Sequence, residues 1–175
     1  MRVDDQLIEQ NIHFLEEGLL LVRRLSDDLY CPSASAVEDN GVGSHLRHCL
    51  DHYFNFLEGA TAGVIDYDAR LRDPRVEADR QYAVRQIEQT IGRLRALAPL
   101  ALRASVLVKL HSGGEPESEE AVTESTLGRE LLFLISHTVH HYALIAMLLR
   151  ARGFQIDAGF GVAPSTLKYR RSLQA

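Results

Sequence analysis

The stretch that decides the fold is LLFLISHTVHHYALIAMLL, residues 131–149. It is long and almost wholly apolar, yet it carries three histidines. Read as a helix, it places His137 and His141 four positions apart on one face. An unpartnered polar group in a core costs roughly 1–3 kcal/mol, so these imidazoles need partners. Two imidazoles on successive turns are a common way to hold a divalent metal, and the stretch therefore predicts a buried helix with a candidate metal site.

The length of this run also suggests a membrane-spanning helix. Three histidines, a serine and a threonine within it disfavour that interpretation, and a central buried helix is the better prediction. The N-terminal segment carries acidic residues throughout and has no cleavage pattern of small residues, so it does not resemble a secretory signal. We therefore expect no membrane partner.

The bulk composition is that of an ordinary globular protein, with 175 residues, 46% hydrophobic and 25% charged. This length predicts a single domain over residues 1–175. The net charge of −5 argues against a general nucleic-acid binder, which usually carries a basic face. The two cysteines, Cys31 and Cys49, are too few for a disulfide scaffold, so a cytoplasmic location is the simplest expectation.

Four long helices are predicted along the chain. Apolar residues recur at three- and four-residue steps over residues 5–29, and further amphipathic helices are predicted at about 44–60 and 77–101. The fourth helix covers about 126–152, and Gly153 is expected to end it. Four long helices of this kind predict an all-α protein built as a four-helix bundle.

The connections between these helices carry their own signals. Residues 61–76 are polar and read as a crossing loop, whereas 104–124 contains two extended runs around Gly113-Gly114. The second pattern predicts a small β-hairpin between the third and fourth long helices. In the tail, Pro164 is expected to begin one last short helix.

Three more histidines, His45, His48 and His52, lie on the second predicted helix. Their spacings group them within about 60° around the helix axis. One of them, together with His137 and His141, would form a three-nitrogen site with an open coordination position, as catalytic metal centres have. Spacing alone does not choose among the three, and the helical wheel places His48 farthest from the apolar centre.

Two short motifs, LRHCLDH at 46–52 and HTVHH at 137–141, resemble those of the DinB-like superfamily. The same layout recurs in the helical domain of ergothioneine-synthase-like iron enzymes. The resemblance implies a four-helix bundle with up-down-down-up connectivity. It also implies a metal site with one histidine from the second helix and two from an H-x-x-x-H on the fourth, which here are His48, His137 and His141. Zn, Ni and Fe all suit three imidazoles, so the metal is not identified.

The chain departs from the family pattern at two places. Members often follow the last ligand with Arg-Gly-Gln, whereas Tyr142-Ala143-Leu144 follows His141 here, and this chain has no tryptophan to begin its second helix. The resemblance implies a metal-dependent transferase that uses bacillithiol, mycothiol or glutathione, with a small-molecule or thiol substrate; a hydrolase is a further option. The alternative is a non-enzymatic interaction or stress-response module with structural histidines. The apolar fourth helix is also expected to supply the face of a homodimer.

Other candidate residues surround the predicted ligands. They are His45, Asp51, His52, Tyr67, Asp68, Arg70 and His140. Asp68 is expected to orient a ligand histidine, and Arg70 or Arg72 to clamp a carboxylate or phosphate. The alternative for this segment is a solvated loop with local ion pairs.

The remaining candidates lie on the two histidine-bearing helices. Asp51 is four positions from Arg47, and the two are expected to form an ion pair. His140 lies about 60° from His137 on the helical wheel, so we expect it to pack or to support the ligands.

Overall fold

A computed structural model describes residues 3–31, 41–97, 102–111 and 120–173 of the chain. Within these ranges seven helices and three strands follow one another as α1 (Val3–Arg24), α2 (Asp27–Tyr30), α3 (Val42–Ala62), β1 (Val64–Asp66), α4 (Pro74–Ala78), α5 (Arg80–Ala96), β2 (Ser105–His111), β3 (Glu120–Thr126), α6 (Leu127–Ala151) and α7 (Pro164–Ser172). The four long helices α1, α3, α5 and α6 pack together as a bundle, which confirms the predicted fold class.

Side-chain contacts show in which direction α5 and α6 run relative to α1. Arg23 pairs with Glu88, while Glu16, earlier on α1, pairs with Arg95, later on α5. The helices α1 and α5 therefore run in opposite directions. The helices α1 and α6 run in the same direction. Asn11 donates to the Leu131 carbonyl near the start of α6, and Arg24, later on α1, donates to the Gln155 carbonyl just beyond the end of α6.

The direction of α3 completes the topology. His45, early on α3, contacts His141, whereas His52, one to two turns later, stacks on His137, which precedes His141 on α6. Helix α3 therefore runs antiparallel to α6, and α1, α3, α5 and α6 run up, down, down and up. This is the predicted connectivity, and it places α3 and α6 side by side along their length.

Three strands form a small sheet beside the bundle. Strands β2 and β3 pair antiparallel from Ser105↔Thr126 onward, which confirms the predicted hairpin between the last two long helices. Strand β1 pairs parallel to β2, with Val64 opposite Leu107. This third strand lies in the segment that was predicted to be a crossing loop, and three residues are too few to show a period-2 pattern in the sequence.

Two helices are shorter in the structure than the sequence pattern predicts, because capping side chains interrupt the predicted helical segments. The first long helix ends at Arg24, and Ser26 then caps the separate helix α2 by accepting from the Leu29 N–H. The third begins at Arg80 rather than at 77, because Asp79 accepts from the first backbone N–H groups of α5. Such caps satisfy orphan donors and start a new helix at a fixed residue.

Helix α6 is long and apolar enough to cross a membrane by length and composition alone. In this fold it packs against α1 and α3, and residues such as Leu134 and Leu149 are fully buried. Thr126 caps its start, and Gly153, in the left-handed region at φ +75°, follows its end. The prediction of a central helix with these two boundaries is confirmed.

A buried polar network ties three helices together beneath the histidines. The Tyr53 hydroxyl donates to Asn11 Oδ1 at 2.9 Å, and Asn11 Nδ2 donates to the Leu131 carbonyl at 3.2 Å. Thr138 Oγ1 donates to the Tyr53 hydroxyl at 3.3 Å. Fully satisfied buried networks of this kind fix one arrangement of a core, so the backbone next to His137 is held in place.

Candidate metal centre

The antiparallel packing of α3 and α6 brings five histidines together. We call this group the histidine cluster; it consists of His45, His48, His52, His137 and His141. The His48 ring is central, with centroid distances of 4.5 Å to His52, 4.9 Å to His137 and 4.6 Å to His141. All three predicted ligands therefore lie in one place, as the family spacing implies.

Ligand nitrogens of His48, His52 and His137 lie within 4.8 Å of one another. His141 is adjacent to this trio, since its ring centroid is 4.6 Å from that of His137. His48 and His137 thus belong both to the set implied by the family and to the set that the distances single out. The two sets differ only in their third member: the family implies His141, whereas the distances select His52.

One buried nitrogen of the cluster has no hydrogen-bond partner. His137 Nε2 is buried and makes no hydrogen bond. A buried polar nitrogen left in this state costs free energy, and a metal ion would satisfy it. The donor set therefore fits a divalent metal of the kind that imidazoles bind.

The charge state of the rings also suits metal binding. Burial and the neighbouring imidazoles lower the pKa of His48 to about 3, that of His137 to about 3 and that of His141 to about 4. Burial lowers the pKa of His52 as well, although its bond to the His48 carbonyl and the nearby Asp68 carboxylate oppose the effect. The rings are therefore neutral at neutral pH, which is the form that binds metals.

Hydrogen bonds orient four of the rings. His52 Nδ1 donates to the His48 carbonyl at 2.9 Å, and a carbonyl can only accept, so the proton lies on Nδ1. His45 Nδ1 and His141 Nδ1 are 3.0 Å apart and share one proton between them. Arg70 Nη1 donates to His48 Nδ1 at 2.7 Å, which engages the lone pair of that nitrogen.

The other predicted site residues lie outside the ring cluster. His140 is exposed, and its ring meets that of His141 edge-on at 5.2 Å. Asp51 is buried and lies 3.6 Å from Arg47 Nη1, which confirms the predicted ion pair. Burial raises the pKa of the Asp51 carboxyl, while Arg47 lowers it.

Tyr67 and Asp68 lie in the connection after β1. The Tyr67 ring stacks on His52 with the centroids 5.3 Å apart, and its hydroxyl donates to Glu130 Oε2 at 2.9 Å. Burial and the Glu130 carboxylate raise the pKa of the Tyr67 hydroxyl. Asp68 acts on His52 through its charge, whereas the hydrogen bond that orients His52 comes from a backbone carbonyl.

A pocket of about 360 Å³ adjoins the histidine cluster. Tyr67 and Phe133 line it, and the same two side chains contact the rings of His52 and His137. The remaining lining residues come from β2, β3 and the start of α6, namely Val108, Ala121, Thr123, Glu124, Ser125, Arg129 and Glu130. Its volume lies at the lower end of the range for small-molecule sites.

Glu130 and Phe133 are two site residues that were not predicted from the sequence. Glu130 is 1% exposed and accepts hydrogen bonds from Tyr67, Ser125 and Arg129. Acidic residues in the first turn of a helix usually face solvent and complement the helix dipole, so nothing in the sequence marked Glu130 as buried. The sequence did offer one signal, because Phe133 is four positions before His137 and shares its helix face.

Comparison with known proteins gives two findings. A family model described as the DinB superfamily matches residues 16–145. FK506-binding protein 5 from Rhizopus delemar is 32% identical over 112 residues, which is 61% of this chain and 27% of that protein. The chain thus spans about a quarter of the length of this curated relative. No solved structure matches the chain significantly.

Proposed function

Because the chain belongs to the DinB superfamily, we propose that it is a metal-dependent enzyme with His48, His137 and His141 as the ligands of a divalent metal. The observation that carries this proposal is the buried, unpartnered His137 Nε2 within a group of neutral imidazoles. Bound there, a divalent metal supplies Lewis acidity, which lowers the pKa of a coordinated thiol or water.

The chain's own residues prepare the site in specific ways. The shared proton between His45 and His141 fixes the orientation of the His141 ring, as hydrogen bonds do for metal-ligating histidines. When His141 is the donor in that pair, its Nε2 carries the lone pair that can bind a metal. His45 then accepts the hydrogen bond that holds the His141 ring in place. His45 is then a positioning residue.

The reaction we propose is a transfer of a thiol to a small molecule. The pocket beside Tyr67 and Phe133 is the place for the substrate, since its walls contact the rings of His52 and His137. The Phe133 face is apolar, whereas Arg129 and Glu130 supply polar groups to the lining. The thiol class rests on the family alone.

The first experiment measures metal content by elemental mass spectrometry in the untagged protein and in the variant that combines His48→Ala with His141→Ala. About one metal per chain in the wild type, absent from the variant, is the expected result. A variant that retains the metal overturns the ligand assignment. Thiol-transfer assays with glutathione and bacillithiol then test the reaction in the metal-loaded protein.

A second candidate is a non-enzymatic module with structural histidines. The observation in its favour is that three contacts inside the cluster already pair nitrogens without a metal: His52 with the His48 carbonyl, His45 with His141, and Arg70 with His48. A wild-type protein that lacks metal, and whose thermal stability does not respond to Zn²⁺ or Ni²⁺, would favour this candidate.

A further inference from the structure

His52 lies inside the histidine cluster although the family spacing does not use it. It is 6% exposed, and its ring stacks on His137 with centroids 4.0 Å apart and an angle of 27°. One of its ring nitrogens lies within 4.8 Å of ligand nitrogens on both His48 and His137. It is therefore as well placed for a shared metal as the ligands that the family implies.

The hydrogen bonding of His52 leaves Nε2 available to a metal. Its Nδ1–H donates to the His48 carbonyl one turn earlier on α3, so Nε2 carries a lone pair and no proton. Metal-ligating histidines almost always donate their other ring N–H to a carboxylate, a carbonyl or water, which fixes the tautomer and the ring orientation. His52 already makes this hydrogen bond.

The distances require only a small closure. Imidazole–zinc bonds are about 2.0–2.1 Å, so tetrahedral ligand nitrogens lie roughly 3.4 Å apart. From a spacing within 4.8 Å, the three nitrogens must approach one another by about one ångström, and the stacked His52 and His137 rings must turn so that their in-plane lone pairs point to the same metal. The stacking contacts of His52 with His137 and with Tyr67 restrict the direction of that shift.

We propose that His52 Nε2 is a metal ligand in addition to His48, His137 and His141, so that the centre has four imidazoles. This inference rests on the proposed function, since it requires a bound metal. Four neutral nitrogen donors without a carboxylate suit Zn²⁺, Ni²⁺, Co²⁺ or Cu²⁺ and not Mg²⁺ or Ca²⁺. A five-coordinate metal would keep one position open for an exogenous thiol or water.

The test compares His52→Gln with His13→Gln, because His13 is an exposed histidine on α1. Zn²⁺ affinity is measured by competition with a chromophoric chelator, and Co²⁺ binding by visible absorption. We expect His52→Gln to lower the Zn²⁺ affinity by at least about tenfold and to alter the Co²⁺ bands, and His13→Gln to leave both as in the wild type. Unchanged affinity and bands in His52→Gln would overturn the inference.

A second measurement uses the wild type, so it holds even if His52→Gln does not fold. In the Co²⁺-loaded protein each ligand imidazole gives a strongly shifted N–H proton signal in NMR spectra. Four such signals, one of them assigned to His52, support the inference, and three without His52 contradict it. Failure of the wild type to bind any metal would instead overturn the proposed function. A Zn²⁺ affinity in His141→Gln equal to that of the wild type would overturn only the assignment of His141 as a ligand.

Discussion

At the scale of single residues, Arg70 competes with a metal for His48. A guanidinium is always charged and can only donate, so His48 Nδ1 accepts in the 2.7 Å contact and the proton of the neutral ring lies on Nε2. Neither nitrogen of His48 then offers a free lone pair to a metal. Arg70 Nε is buried without a hydrogen bond, so moving the side chain away would break the contact with His48 but no bond at Nε. A hydrogen bond from a charged group contributes about 1.5–3 kcal/mol, which corresponds to a factor of about ten or more in affinity.

The prediction is that Arg70→Gln raises the Zn²⁺ affinity by about tenfold. Competition titrations against a chromophoric chelator measure the effect. Arg72→Gln, an exposed change in the same loop, is the matched control and should leave the affinity unaltered. An Arg70→Gln protein that binds Zn²⁺ more weakly would show that Arg70 supports the site.

The neutral histidines predict acid sensitivity of the metal-free protein. Their folded pKa values of about 3 for His48 and His137 and about 4 for His141 lie below the ordinary value of 6.5. Between these limits the unfolded chain binds more protons than the folded one, so stability falls as the pH drops from about 6.5 towards 4. The neighbours His52, Arg70 and Arg47 act in the same direction on His48.

Urea unfolding of the metal-free protein at pH 7.5, 6 and 5 measures this dependence. The free energy of unfolding should decline over the series, and His137→Phe should decline less because it removes one titrating ring. His13→Gln should follow the wild type. Equal stability of the wild type at all three pH values would contradict the depressed pKa values.

Tyr67→Phe tests the buried Glu130 carboxylate. Removing the hydroxyl takes away one of three donors to a side chain that is 1% exposed, so we expect a loss of about 1–3 kcal/mol in the free energy of unfolding. Chemical denaturation measures it. Tyr169→Phe, at a tyrosine that is 63% exposed, should cost almost nothing. A similar loss in both variants would rule out the hydrogen bond as the cause.

Several site residues could be predicted from the sequence, because histidines at three- and four-residue spacing must share a helix face. The family motif then placed His48 with His137 and His141, and the structure brings these three rings together. Glu130 could not be predicted, because its burial depends on Tyr67, a residue 63 positions away along the chain.

At the scale of elements, two glycines give opposite predictions for the same substitution. A Cβ on Gly59 of α3 would lie 2.6 Å from the Val64 carbonyl oxygen and 2.7 Å from Ile65 Cα in β1, which are backbone atoms. Gly59→Ala should therefore destabilise the protein by about 1–3 kcal/mol through overpacking of the helix against the strand.

Gly92→Ala is the matched control on α5. A Cβ there meets no atom within 4 Å, and alanine is the better helix former by about 1 kcal/mol. Thermal and urea unfolding should show a modest gain for Gly92→Ala and a loss for Gly59→Ala. Gains in both variants would mean that α3 and β1 are not in close contact.

Element boundaries were predictable only where the signal was local. Thr126 and Gly153 mark the ends of α6 as ordinary caps do. Strand β1 could not be predicted, because it is defined by pairing with β2, more than 40 residues later, and not by its own pattern. The start of α5 at Arg80 was not predicted, because the helical pattern of the sequence continues through Asp79, whose side chain caps the helix in the structure.

At the scale of the whole molecule, a bound metal should stabilise the bundle. A ligand that binds only the folded state at 100 times its dissociation constant adds about 2.7 kcal/mol. For a chain of this size that corresponds to a rise of roughly 5–10 °C in the unfolding midpoint. Calorimetry with and without a chelator measures the rise, and the His48→Ala/His141→Ala variant should show none.

The bundle itself could be predicted because four amphipathic helices have few ways to bury their apolar faces. Its up-down-down-up order came from the family resemblance, since periodicity carries no direction. The homodimer and the cytoplasmic location stay predictions, because neither is determined by contacts within one chain.

The separation of the paired histidines along the chain has a consequence for folding kinetics. His45 and His141 are 96 positions apart yet 3.0 Å apart in space. The centre therefore does not exist until α3 and α6 have docked, which requires a loop of this length to close. A metal ion that binds only the docked helices would cross-link them, and to the extent that it binds after the folding transition state it would lengthen the lifetime of the native state without changing the rate of its formation.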